Sequence, residues 1–197
     1  MTLIFDTETS GKANFRLPFS HPSQPHLVQL GAQLLDSDLK VRHQIDFIVK
    51  PENFVIPAEA ANVHGISQEL ASDVGFPLKF VLAAFAELFH KAAVRVAHNI
   101  AFDDLVILAA RQRSGASFQA NHKRFCTMEA MTPILNLPGP YGPKWPKLCE
   151  AYKHCAGQPL EGAHDALTDV KACAEIYRWL KQRDNQTQPV VEHANAV

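Results

Sequence analysis

Asp6 and Glu8 stand in the run Leu3-Ile4-Phe5-Asp6-Thr7-Glu8-Thr9, a D-x-E pair directly after a short apolar stretch. Such a stretch reads as a buried strand, and on a strand residues i and i+2 point to the same face. Two carboxylates held side by side disfavour joint ionisation unless a cation sits between them. A divalent metal would answer that need. The other reading places both residues just beyond the strand in a solvated turn helped by Thr9, Ser10 and Gly11, since D-x-E is short and matches by accident.

Two more segments supply hard oxygen ligands. His98-Asn99-Ile100-Ala101-Phe102-Asp103 follows the β-branched run Val94-Arg95-Val96 and precedes Leu105-Val106-Ile107-Leu108, the pattern of a strand, a turn and a helix start. Asp103 near that start also suits the helix dipole, so a capping role stands beside a ligand role. The second segment, His164-Asp165-Ala166-Leu167-Thr168-Asp169, leads into Val170, Cys173, Ile176, Tyr177 and Leu180 at helical spacing. Asp165 is the better N-cap, which leaves Asp169 without a capping duty.

The set Asp6, Glu8, then Asn99-x-x-Phe102-Asp103, then His164 with Asp169 five positions on, resembles the three exonuclease motifs of the DEDDh class. This is the group of DnaQ-like 3′→5′ exonucleases that includes the proofreading epsilon subunit of bacterial DNA polymerase III. The motifs occur in order across residues 1 to 170. Asn62-Val63-His64-Gly65-Ile66-Ser67 is similar to the family's N-x-H-G-I-[ST] segment, and Pro138 to Leu148 looks like that of small stand-alone members from bacteria and phages.

Hydrolysing a phosphodiester requires stabilising a crowded anionic transition state while making a nucleophile from water. Two Mg²⁺ or Mn²⁺ ions about 3.5–4 Å apart do both. Mg²⁺ favours a few carboxylates plus water and phosphate over a fully protein-built cage, and Asp6, Glu8, Asp103 and Asp169 would supply those carboxylates. His164 is expected to be the general base, a role suited to imidazole near neutral pH. The resemblance further implies that Thr9 and His64 meet the terminal nucleotide and that Phe102 contacts its base or sugar, where stacking is sequence-tolerant; core packing beside Asp103 is the other reading of Phe102. Asn99 reads as a turn residue.

Composition bounds the rest. The chain has 197 residues, 47% of them hydrophobic and 20% charged, enough for a single domain with an ample core. No apolar run is long enough to span a membrane and the N-terminus lacks a secretory pattern, so a cytoplasmic protein is expected. Cys126, Cys149, Cys155 and Cys173 form no C-x-x-C pair and read as reduced, mostly buried thiols. The net charge of −1 argues against tight, charge-driven duplex binding and favours weak, end-directed contact. Arg111, Arg113, Lys123, Arg124, Lys144, Lys147 and Lys153 are the candidate positions for tracking a strand, and a solvated face is the commoner role for each.

The elements that must position these groups alternate. Strands are expected at 2–7, near 27–35 and 41–49, near 93–97 and near 123–126. Helices are expected as a short pair flanking His64-Gly65, then from Pro77 to Lys91, over 103–113, near 146–155, and along the C-terminal segment. A Pro- and His-containing loop covers about 11–26, and residues 133–146 form another. The class is α/β, a mixed central sheet flanked by helices, which the resemblance sharpens to an RNase H-like exonuclease fold. Residues 1–183 are read as the exonuclease domain and 184–197 as a polar, disordered tail. The expected activity is a metal-dependent 3′→5′ exonuclease releasing nucleoside 5′-monophosphates from single-stranded or frayed DNA ends. The alternatives are an exoribonuclease of the oligoribonuclease or ribonuclease T type, which no motif separates from the DNA enzyme, and a polymerase-associated proofreading subunit. The short tail leaves little room for an epsilon-type polymerase-binding segment, and the intact carboxylate set argues against a non-catalytic binding module. A replication or repair protein is the partner class that the proofreading alternative implies.

Overall fold

The computed structural model describes residues 1–116 and 123–187. Its centre is a five-stranded mixed sheet in the order β3-β2-β1-β4-β5, built from β1 (Thr2–Thr9), β2 (Leu27–Leu35), β3 (Val41–Ile48), β4 (Val94–Ala97) and β5 (Lys123–Cys126). β1, β2 and β3 pair antiparallel, whereas β4 and β5 run parallel to β1. The helices are α1 (Ala58–His64), α2 (Gln68–Val74), α3 (Leu78–Phe89), α4 (Ile100–Ser114), α5 (Thr127–Leu135), α6 (Leu148–Ala156) and α7 (Ala166–Thr187). This is the mixed α/β architecture expected from the alternation of elements.

Alternation along β1 divides the core into two layers. Leu3 and Phe5 join Val81, Leu82 and Phe85 of α3 and Val106, Ile107 and Ala110 of α4. Ile4 faces the other way, against Val170, Cys173, Ala174 and Tyr177 of α7. β1 is thus covered on both sides, which explains its unbroken apolar start, and β2 is buried along its whole length for the same reason. β3 lies at the sheet edge and is mostly exposed.

Several boundaries differ from those expected. β1 continues to Thr9, so Glu8 is still part of the strand. α4 begins at Ile100, ahead of the expected 103, because Asn99 takes a left-handed backbone (φ 70°, ψ 50°) that turns the chain straight from β4 into the helix. Asn is among the few non-glycine residues that adopt this conformation readily. α5 was not anticipated; Pro133 reads as a helix breaker, yet it lies within the last turn, where little helix remains to be lost. α6 starts at Leu148, and α7 runs to Thr187, past the boundary drawn at 183. The rest of the expected tail, 188–197, lies outside the described residues. Among the described residues no helix is long and apolar enough to cross a membrane. The four cysteines are free thiols, of which Cys126 and Cys173 are buried, Cys155 is half-buried and Cys149 is exposed.

Candidate active site

The same alternation that sends Leu3 and Phe5 into one layer turns Asp6 and Glu8 toward the other, the side covered by α7. α7 can come close here because its first turn rests on Gly31, the residue paired with Asp6 across β1 and β2. A Cβ at Gly31 would stand 2.7 Å from the Ala166 carbonyl carbon and oxygen and 2.8 Å from the Leu167 nitrogen. The turn is also pinned by Gln29. Its Nε2 donates to Asp165 Oδ1 (2.9 Å) and Asp46 Oδ1 (2.8 Å), and its Oε1 accepts from the Ala166 N–H (3.1 Å). Asp165 caps the helix as expected, accepting from the Thr168 N–H (2.9 Å) and hydroxyl (2.8 Å). Asp169, one turn on, is therefore free to face Glu8.

The ligand atoms of Glu8, His164 and Asp169 all lie within 4.8 Å of one another. His164 is exposed and carries a left-handed backbone (φ 70°), and its N–H donates to Asp169 Oδ2 (3.2 Å). Asp169 Oδ1 is buried with no hydrogen-bond partner. Asp103 arrives from the opposite layer, in the first turn of α4, and is 2% exposed. Thr7, between Asp6 and Glu8, donates its hydroxyl to Asp103 Oδ1 at 2.8 Å. One strand thus places two carboxylates directly and steers a third by the residue between them. Asp6 and Asp103 stand outside the tight trio.

These carboxylates hold their protons unusually well. Burial raises the pKa of Asp6 well above its ordinary value, with repulsion from Asp103, Asp169, Glu8 and Asp165 adding to it. Burial also raises Asp103, against the Thr7 hydroxyl bond that favours its charged form. Glu8 is pushed up to about 7 by burial and then by Asp169 and Asp165. Asp169 is raised to about 6, again by burial, with the His164 N–H and ring opposing. A buried oxygen without a partner, beside three other carboxylates and a histidine, fits a divalent cation: hard oxygen donors would be charge-compensated and the orphaned atom satisfied.

The other expected positions fall close by. Thr9 is buried and donates its hydroxyl to the Gly11 carbonyl (2.7 Å). His64 is buried at the end of α1, its Nδ1 accepting from the Ile66 N–H (3.1 Å) while Nε2 is buried without a hydrogen-bond partner. Burial lowers its pKa and so does nearby His164, with the Thr9 backbone acting the other way. Phe102 is half-buried and packs against the core of the α3–α4 layer. Of the basic positions, Arg113 holds the Gln24 and Pro25 carbonyls, Arg124 pairs with Asp104 and Lys144 with Glu150. Lys123, Lys147 and Lys153 are exposed.

Sequence reasoning passed over the supporting residues. Thr7, Gln29 and Gly31 order the site, and His98 anchors the loop before α6, its Nε2 3.0 Å from the Pro146 carbonyl and its Nδ1 3.0 Å from the Thr127 hydroxyl. The signal for Gln29 was available: it is one of two glutamines, with Gln33, in the largely apolar run of β2, and each needs a partner if that strand is buried.

Comparison with known proteins adds an independent line. The family model described as Exonuclease (RNase T) matches residues 3–177. An uncharacterized exonuclease, CP81, of Escherichia phage 186 is 32% identical over 134 residues, which span 64% of this chain and 67% of the phage protein. Among solved structures, E. coli exonuclease I in complex with a dT13 oligonucleotide superimposes with a TM-score of 0.75 at 24% identity, over 94% of this chain. A zinc-ion-bound exonuclease I–single-stranded DNA complex matches with a TM-score of 0.71 at 24% identity. The chain spans only 42% and 41% of those two exonuclease I chains, so the likeness is one of fold.

Proposed function

We propose that this chain, which belongs to the RNase T exonuclease family, is a divalent-metal-dependent 3′→5′ exonuclease that removes nucleoside 5′-monophosphates from single-stranded or frayed DNA ends. The observation that carries this reading is the convergence of Glu8, His164 and Asp169 within 4.8 Å, beside Asp6 and Asp103, at one end of the sheet. Asp6, Glu8, Asp103 and Asp169 would hold two Mg²⁺ or Mn²⁺ ions, which supply charge neutralisation at the scissile phosphate and make water acidic enough to react. Thr7 holds Asp103 in place through its hydroxyl. His164 takes the proton of the attacking water on a ring nitrogen as the oxygen bonds to phosphorus and the bond to the 3′-oxygen breaks. Its exposure lets it reach a substrate-bound water, and its backbone bond to Asp169 sets its place against the carboxylates. Thr9, His64 and Phe102 are assigned to the terminal nucleotide.

Single-stranded DNA is favoured as substrate because the fold neighbours in exonuclease I hold single-stranded oligonucleotides. The net charge of −1 also suits transient contact with an end over firm grip on a duplex. The test is product analysis on 5′-labelled DNA and RNA oligomers of matched sequence with Mg²⁺, Mn²⁺ or chelator. The expected result is a ladder shortening from the 3′ end, silent in chelator, with 5′-monophosphates released and single strands cut faster than blunt duplex, where fraying must come first. Cleavage of a circular single strand would overturn the proposal, and faster cleavage of RNA would move it to the exoribonuclease alternative.

A further inference from the structure

The chain leaves the sheet immediately after β1, the strand that carries Asp6 and Glu8, and does not return until Leu27. Loops of this length without secondary structure of their own are commonly functional. This one is closed at its base, where the Ser10 N–H donates to the His26 carbonyl (2.9 Å) and the His26 N–H donates to the Ser10 hydroxyl (2.9 Å). It is built around a buried polar side chain. Gln24, 1% exposed, accepts from the Asn14 N–H (3.1 Å) and donates to the carbonyls of Asn14 (2.9 Å), Leu17 (3.2 Å) and Pro18 (3.3 Å). Arg113 of α4 grips the Gln24 and Pro25 carbonyls from beneath.

A loop so firmly held nevertheless turns two large apolar rings outward: Phe15 is 59% exposed and Phe19 is 40% exposed. Arg16 follows Phe15 and Lys12 precedes it by three residues; both are exposed and outside every salt bridge among the described residues. Residues 10–26 contain no Asp or Glu. An acid-free, cationic, aromatic surface on a closed frame, continuous with the strand that carries Asp6 and Glu8, has the chemistry of a single-strand platform: rings for bases, cations for phosphates. Another loop with exposed aromatics, carrying Tyr141 and Trp145, differs in that Lys144 is already neutralised by Glu150.

We infer that loop 11–26 is a binding platform for the single strand a few nucleotides upstream of the 3′ end being cut, with Phe15 stacking on a base and Lys12 and Arg16 meeting phosphates. This rests on the exonuclease reading above. It assigns to the loop an affinity for strand length that the carboxylate site alone would not provide.

The test measures KM and kcat on single-stranded oligonucleotides from a dinucleotide to about twelve nucleotides, within the usual reach of such sites. In the wild type KM should fall as length grows. Phe15→Ala should flatten that dependence, raising KM for the long strand about tenfold with kcat little changed, and Phe15→Trp should restore it. The double variant Lys12→Gln, Arg16→Gln should make the salt dependence of binding shallower by about 1.4 in log–log slope. A Phe15→Ala protein that keeps the wild-type length dependence overturns the platform, as does one that loses equally on dinucleotide and long strand. A wild type that cuts none of these substrates overturns the exonuclease reading instead. Anisotropy of a labelled strand in chelator, which needs no turnover, then still decides the platform by whether Phe15→Ala weakens binding.

Discussion

Asp103 and Asp104 are neighbours in sequence and opposites in surroundings. Asp104 sits between two guanidiniums, 3.0 Å from Arg95 Nη1 on β4 and 2.8 Å from Arg124 Nε on β5, which stand side by side in the sheet register. Burial raises its pKa, and both arginines work against that rise. Asp103 has a hydroxyl from Thr7 and further carboxylates near it, with no cation among its perturbing neighbours. Cations are thus within reach of this turn of α4, and the fold directs them to one aspartate while withholding them from the next. The Asp104 charge has its partners within the chain; a buried carboxylate without one keeps its proton or, on the proposed mechanism, takes a metal ion.

The largest effect expected from this contrast is on cleavage. Asp6→Ala, Glu8→Ala, Asp103→Ala and Asp169→Ala should each reduce the rate about 10³-fold or more, on the scale of losing a principal source of transition-state charge stabilisation. Asp104→Ala should keep most of the activity and lose about 2 kcal/mol of stability, read by denaturant unfolding. An Asp104→Ala protein that folds and is as inactive as Asp103→Ala would end the comparison. Next in size is His164→Ala, expected to cost about 10²- to 10⁴-fold in rate while metal and DNA binding persist. If His164→Ala instead weakens metal binding, the histidine belongs with the ligands.

Smaller changes sharpen the contrast through the frame. Gly31→Ala sets a methyl 2.7 Å from the Ala166 backbone, so α7 must retreat and carry Asp169 with it. A displacement near 1 Å costs about 10² in rate, and a crystal structure of the variant with unmoved α7 would contradict this account. The smallest effect is on stability in chelator. Glu8 at about 7 and Asp169 at about 6 titrate higher in the folded chain than ordinary carboxylates do. Between about pH 4 and pH 7 the folded state therefore binds more protons than the unfolded state, and stability falls as pH rises. Asp169→Asn should relieve that loss and raise Tm at pH 8 by a few degrees, about 2–4 °C for each kcal/mol at this size. Asp104→Asn should lower it. A fall in both would mean that the Asp169 site is no more strained than the Asp104 pair.

The parts of this arrangement that were legible from sequence are those written as local patterns. D-x-E after an apolar run put Asp6 and Glu8 on one strand face, and the Asp165 cap freed Asp169, because strand alternation and helix capping act over a few residues. The parts that escaped depend on separate segments meeting. Thr7 looks like filler between two acids until α4 brings Asp103 to its hydroxyl. Gly31 looks like a weak point in β2 until the first turn of α7 lies on it. Arg113, a candidate for tracking phosphates, turns out to hold loop carbonyls, since charge alone does not say whether a cation faces solvent or its own chain. α5 was missed because Pro133 reads as a breaker, while the proline stands where the helix is about to end.

The left-handed backbone of His164 (φ 70°) bears on inheritance. That conformation costs an ordinary L-residue about 1–2 kcal/mol, and asparagine is among those that adopt it most readily. Histidine and asparagine codons differ by a single base. On the proposed mechanism, a one-base change would yield a chain that keeps its backbone and carboxylates, still meets DNA ends, and cuts them far more slowly. A slow-cutting, end-binding version of this chain thus lies one mutational step from the active form.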